Sequence, residues 1–266
     1  MLTKPNLIII GAQKSGTTSL YHYLNAHPSI FMSRPIKEPG LFMNKAFIEK
    51  LFGKQLKLPV PSRRQLIEQY MLKGYSGQAY FGEASTYYTI GNISIRDKVA
   101  YRMYRTNRSM KLLYIVRNPF ARIVSNYLHI RKRGYSEDSF RAFFATSHYQ
   151  QALLTSQYWL QLQAYLAYFP AHQIKVVLFE DMLQEPTEVL ADIYEFLQLE
   201  PASAKRLQAY NQSDNRETFE QRELMFPATE YGNAFRSISD DVCSLEQFMQ
   251  RRLAVWDLSA ARWREG

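Results

Sequence analysis

Apolar positions along the chain fall into two alternating patterns. Short unbroken runs, rich in β-branched residues, occupy 7–10, 112–116 and the stretch "IKVVLFED", which closes on the acidic pair Glu180-Asp181. Runs of this length without polar interruption read as strands buried on both faces. Between them apolar residues recur at helical spacing: Leu20, Tyr23 and Leu24, then Trp159, Leu162, Leu166 and Phe169, then Val189, Leu190, Ile193, Phe196 and Leu197. Such stripes are core faces of helices. A further helix starts at Pro119, a residue suited to a first helical turn, and runs to about Arg133, where Gly134 stops it. Residues 79–88, "AYFGEASTYY", read as a short strand ending in a polar loop, and "SRPIKEPGLF" reads as loop. Residues 44–75 are mixed and helical in parts, broken at Pro59 and Pro61, and residues 200–242 read as loop and lid. Strands that alternate with helices predict an α/β domain with a mostly parallel sheet covered on both faces, and ligands of such sheets sit at the carboxyl ends of the strands.

A chain of 266 residues with 46% hydrophobic content has enough apolar material for one large domain spanning 1–266. No stretch approaches the ~18 apolar residues of a membrane span, and the short first run lacks the apolar core of a signal peptide, so a cytoplasmic location is expected. The single cysteine, Cys243, excludes an internal disulfide framework and a cysteine-rich metal site. A net charge of +9 calls for an anionic ligand or a solvated basic surface. Nucleic acid is not the expected partner: the basic residues are scattered apart from Arg131-Lys132-Arg133, and no nucleic-acid motif accompanies that run.

The chemistry concentrates after the first strand, in "GAQKSGTTSL". Gly11 and Gly16 have the spacing of a phosphate-binding loop, but Thr17 stands where a nucleotide kinase has its lysine. The lysine, Lys14, lies inside the loop instead. Backbone N–H groups and a helix N-terminus make an anion site here, lined by Lys14, Ser15, Gly16, Thr17, Thr18 and Ser19. A second cluster follows the strand at 112–116. Arg117 ends that strand and Ser125 lies about two helical turns on, positions from which a guanidinium and a hydroxyl converge on one phosphate.

These two stretches resemble the nucleotide motifs of the sulfotransferases that use 3′-phosphoadenosine 5′-phosphosulfate (PAPS). "GAQKSGTTSL" is similar to their 5′-phosphosulfate loop, and "LLYIVRNPFARIVSNYLH" to their 3′-phosphate motif, with Arg117 and Ser125 at matching positions. The likeness continues through "SQYWLQLQAYLAYFPAHQIKVVLFEDMLQEPTEVLADIYEFLQL" and covers most of residues 5–200. It implies a P-loop-kinase-like three-layer α/β fold, PAPS as co-substrate with no metal, and Lys14 reaching the bridging oxygen of the leaving nucleotide. Lys37-Glu38 in "IKEPGLF" resembles the Lys-Glu of the branch that includes the heparan sulfate sulfotransferases, which implies Glu38 as general base and Lys37 as its charge partner. Arg216, in "NQSDNRETF", is a third candidate for the 3′-phosphate.

Two departures stand out. In that branch a lysine often follows the glutamate of a Glu-Lys-Ser/Thr-Pro stretch; here "GEASTYY" has Ala84 and no proline. The cysteine pair of the Golgi glycan enzymes is absent too. The branch with a histidine base would need a histidine, and of the five here His148 is the expected substitute. The acceptor is expected to be a small molecule, a natural product or a glycan. Two rivals remain: a metal-dependent kinase on the same fold, and a non-catalytic basic nucleotide-binding protein.

Overall fold

The computed structural model describes residues 3–91, 93–135, 139–201 and 224–264, with residues 55 and 93–95 described by their backbone only. In chain order, β1 (Leu7–Gly11) leads through a tight loop into α1 (Thr17–Asn25), and β2 (Ile30–Met32) follows. Two short helices, α2 (Lys45–Ile48) and α3 (Arg63–Gln65), each run on into wide π-helical turns, Glu49–Gln55 and Leu66–Met71. Next come β3 (Tyr80–Glu83), a 3-10 turn at Thr86–Thr89, α4 (Ile93–Thr106), β4 (Lys111–Val116) and α5 (Pro119–Lys132). The remainder is α6 (Phe140–Phe143), α7 (Ser147–Ser156), α8 (Tyr158–Leu166), β5 (Ile174–Leu178), α9 (Phe179–Gln184), α10 (Pro186–Phe196) and α11 (Ala228–Met249).

The described strands form one sheet in the order β2-β3-β1-β4-β5, and every pairing is parallel. The chain fills one side of β1 with β2 and β3, then crosses to add β4 and β5, so the strand order reverses beside β1. A parallel sheet opens a ligand crevice at that reversal.

The two central strands show why both faces had to be covered. Ile8 and Ile10 of β1, with Leu112, Tyr114 and Val116 of β4, enter one core together with residues of α5, α8 and α11. Leu7, Ile9, Leu113 and Ile115 enter a second core under α1 and α10. Alternate side chains of a strand point to opposite faces, so an unbroken apolar run serves two helical layers at once.

Two details differ from the sequence reading, the place of the acidic pair and the form of residues 228–242. The acidic pair Glu180-Asp181 belongs to α9, since β5 already ends at Leu178. Residues 228–242, read as loop and lid, are helical and form most of α11, which buries Tyr231, Ala234, Ile238, Val242 and Leu245. That stripe is spaced as a helix face, but polar residues such as Asp240 and Asp241 interrupt it. The apolar pair Ile30-Phe31 lies in an edge strand. The helical stripe around Trp159 is core, as read, with its most buried positions at Tyr158, Leu162 and Tyr165.

Candidate active site

The loop after β1 is shaped by close packing. Gly11 has φ of 153°, and a Cβ there would stand 1.9 Å from the Thr89 hydroxyl oxygen, which donates to the Ile10 carbonyl. Gly16, with φ of 87°, is the N-cap of α1, and its Cβ would press into the Phe179 ring at 2.5 Å. Only glycine fits either place.

Two arginines then fix the orientation of the loop. Arg117 donates from Nη1 to the Lys14 carbonyl at 3.4 Å, and its guanidinium lies over the Phe179 ring. Arg122, completely buried, donates to the Gln13 carbonyl at 3.3 Å, to Ser156 Oγ at 2.6 Å and to the Ala152 carbonyl. With these carbonyls turned to the arginines, planar peptide geometry directs the neighbouring N–H groups the other way. Arg122 was not singled out from the sequence. Its signal is a charged residue on the buried side of an otherwise apolar helix face.

Sequence-predicted residues therefore come together from two elements. Lys14, Ser15, Gly16, Thr17, Thr18 and Ser19 form the loop and the first turn of α1, with Arg117 beside them at the end of β4. Ser125 is half-buried on α5. Arg216 lies outside the described residues. Burial, then the charges of Arg117, Arg133, Arg122 and Lys132, hold the Lys14 ammonium below its usual range. After burial, the influences that act most on Lys14 are all positive. Ser15 Oγ is fully buried beside Tyr158 and has no well-formed hydrogen bond among the described residues. A buried hydroxyl without a hydrogen-bond partner among the described residues and a cluster of cations both fit a bound anion.

The Lys37-Glu38 pair lies in the loop after β2. Lys37 Nζ meets Glu38 Oε1 at 2.9 Å, and Thr86 Oγ1 donates to Glu38 Oε2 at 3.0 Å. Both side chains are partly exposed. Tyr87 connects this pair to the first loop. Burial and the Glu38 charge raise its hydroxyl, while Arg133, which also acts on Lys14, lowers it.

Among the histidines, His129 is the one whose ring feels Lys14. Burial, then Lys14 and Arg133, push it down to about 4. His148 lies in the first turn of α7. Ser125, His129 and Arg133 follow one another at four-residue spacing, the rule for one helix face, and that spacing was the available signal for His129.

Beside Arg117, a cleft of about 380 Å³ opens between α5, α9 and the C-terminal segment, lined by Ala121, Phe179, Leu183, Val255 and Trp263 among others. Glu180 ties its walls together, accepting from the Asn118 N–H and from Trp256 Nε1, each at 2.9 Å.

Comparison with known proteins agrees with this geometry. Residues 4–228 match the family model described as "Sulfotransferase domain". The human heparan sulfate glucosamine 3-O-sulfotransferase 5 is 30% identical over 220 residues, which is 78% of this chain and 56% of that protein. The human bifunctional heparan sulfate N-deacetylase/N-sulfotransferase 2 is 24% identical over 214 residues, 74% of this chain and 22% of that protein. The chain thus spans about half of the first relative and a smaller part of the second. A solved sulfotransferase from Alicyclobacillus acidocaldarius superposes with a TM-score of 0.71 at 25% identity, covering 96% of this chain and 99% of that one. The sulfotransferase domain of the Synechococcus PCC 7002 olefin synthase shares the fold, with a TM-score of 0.56 at 18% identity over 89% of this chain and 94% of that one. The all-parallel sheet with helices on both faces is the P-loop-kinase-like fold, and the chain belongs to the sulfotransferase family.

Proposed function

We propose that this chain moves a sulfuryl group from PAPS to a hydroxyl or amine of a small-molecule acceptor, leaving adenosine 3′,5′-bisphosphate. The observation that carries the reading is the contact between Arg117 and the Lys14 carbonyl, which unites a 5′-phosphosulfate loop and a 3′-phosphate arginine in one cationic site.

In this reading the N–H groups of Lys14, Gly16, Thr17 and Thr18, with the hydroxyls of Thr17, Thr18 and Ser19, hold the 5′-phosphosulfate at the start of α1, while the Ser15 N–H braces the loop on the Ala12 carbonyl. Lys14 donates to the bridging oxygen as negative charge develops there, an interaction that strengthens toward the transition state. Arg117 and Ser125, with Arg216 as a further candidate, take the 3′-phosphate. The aromatic and aliphatic cleft beside Arg117 suits a nucleobase. Glu38 removes the proton of the attacking hydroxyl or amine. Lys37, 2.9 Å away, pairs with the carboxylate and balances charge on the sulfuryl group.

The heparan sulfate relatives support a glycan among the acceptors, alongside a natural product. The test is incubation with sulfur-labelled PAPS and a mixed acceptor extract, with and without EDTA. Label transfer in both arms supports the reading. Phosphoryl transfer from ATP that EDTA abolishes would establish a kinase, and nucleotide binding without transfer a non-catalytic binder.

A further inference from the structure

Glu83 ends β3 with no exposed surface, and Tyr88, on the 3-10 turn that follows, is equally buried. Two hydroxyls converge on the Glu83 carboxyl: Ser85 Oγ donates to Oε2 at 2.6 Å, and the Tyr88 hydroxyl donates to Oε1. Each hydroxyl also accepts a backbone N–H from the loop that carries Glu38. Gly40 N–H meets Ser85 Oγ at 3.0 Å, and Phe42 N–H meets the Tyr88 oxygen at 3.2 Å. On the near side of Glu38, the Ala84 N–H donates to the Lys37 carbonyl at 3.3 Å. The segment 83–88 thus grips the loop on both sides of Glu38, and Thr86 holds the Glu38 carboxylate itself at 3.0 Å. Tyr165 fixes the far end by donating to the Tyr88 carbonyl at 2.8 Å.

We infer that Glu83 is a positioning residue, which orients the Ser85 and Tyr88 hydroxyls so that they hold the 37–42 loop and, through it, Glu38. A hydroxyl has one proton. While that proton points at Glu83, its lone pairs face the loop N–H groups. Removing the acceptor would leave two buried hydroxyls to reorient, and the loop N–H groups would lose defined partners. Burying a carboxyl is costly, and this segment meets that cost with hydrogen bonds that all lead toward the Glu38 loop. Ala84, completely buried, stands where relatives often have lysine, so here the segment acts on the site through this network.

The inference rests on Glu38 as the base, and a double-mutant cycle separates the two ideas. Assayed above pH 8, where the Glu83 carboxyl is ionised and both of its oxygens accept, Glu83→Gln keeps the volume but turns one acceptor into a donor facing a hydroxyl. It is expected to lower kcat by roughly 10–10²-fold, the effect of a small misplacement of a reacting group, with affinity for adenosine 3′,5′-bisphosphate unchanged. Combined with Glu38→Gln it should add no further loss. Wild-type kcat in Glu83→Gln, or a double variant slower by the full product of the two losses, overturns the positioning role. Wild-type kcat in Glu38→Gln overturns instead the base on which it rests. Should Glu83→Gln not fold, Ser85→Ala and Tyr88→Phe each remove one arm. Both should lower kcat without changing bisphosphate affinity, and unchanged kcat in both overturns the inference.

Discussion

The guanidinium of Arg117 donates to the main-chain oxygen of Lys14 at 3.4 Å, so the first position after β4 and the lysine inside the first loop form one unit. A residue expected to read the 3′-phosphate also holds the loop expected to bind the 5′ end. Disturbing either should be felt at both.

Lys14→Ala tests the leaving-group role. Its ammonium is half-buried among positive charges, which favours an anion that gains charge during reaction. Turnover should fall far more than affinity for adenosine 3′,5′-bisphosphate, since only the transition-state contact is lost. Single-turnover kinetics beside calorimetry give the two quantities, and near-normal turnover would remove Lys14 from the mechanism.

Arg117→Ala should erase most of the preference for the 3′-phosphorylated nucleotide over its analogue lacking that group, about 1.5–3 kcal/mol for a charge-assisted contact. Because Arg117 also bonds the Lys14 carbonyl, binding of the analogue should weaken as well, by a smaller factor. Calorimetry with the two nucleotides measures both losses. An unchanged preference means that the 3′-phosphate is held elsewhere.

Glu38→Gln keeps the size of the side chain and removes its basicity. Nucleotide binding should stay intact while turnover drops roughly 10²–10⁴-fold, the usual effect of a positioned base. If the variant stays active while His148→Ala is dead, the base is a histidine; the parallel His129→Ala assay covers the histidine whose ring feels Lys14.

Stability should carry the signature of Glu83 in its pH dependence. Burial raises this carboxyl from 4.5 to about 8, against the pull of its bonds to Ser85 and Tyr88, with Glu38 adding to the rise and Lys37 opposing it. Between those values the folded chain holds a proton that the unfolded chain has released, so stability falls as pH rises and levels off above about 8. Asp241, raised to about 6, acts in the same sense at lower pH, whereas His129, lowered to about 4, acts in the opposite sense up to its usual 6.5. Between 6.5 and about 8 the Glu83 contribution is read as the difference in slope between the wild type and Glu83→Gln. Urea midpoints across that window should decline more steeply in the wild type than in Glu83→Gln. Equal slopes would mean that the carboxyl is already ionised when folded.

Asp241 joins α11 to α8. Its two oxygens accept from the Trp159 N–H at 2.9 Å and the Leu160 N–H at 2.8 Å, capping α8 from a different helix. Asp241→Ala leaves both donors without that partner and should cost about 2–3 kcal/mol. Denaturant unfolding reads that loss, and a change under ~0.5 kcal/mol would show that water replaces the cap without penalty.

Local signals in the sequence were enough for the parts of this protein that depend on neighbours along the chain. The apolar runs at 7–10 and 112–116 specify strands buried on both faces, because only a doubly covered strand tolerates such a run. Gly11, Gly16 and the hydroxyls of 17–19 mark the anion loop, and Pro119 and Gly134 bracket α5, because turn and cap chemistry is local. Tertiary structure decided the rest, since those partners are far apart in sequence. That Arg117 and Arg122 grip the carbonyls of Lys14 and Gln13 follows from β4 pairing beside β1, across about a hundred residues. That the His129 ring feels the Lys14 charge depends on how α5 packs. The hydrogen bonds that Ser85 and Tyr88 accept from the Glu38 loop exist only because β3 lies between β1 and β2, a strand order that no local pattern encodes.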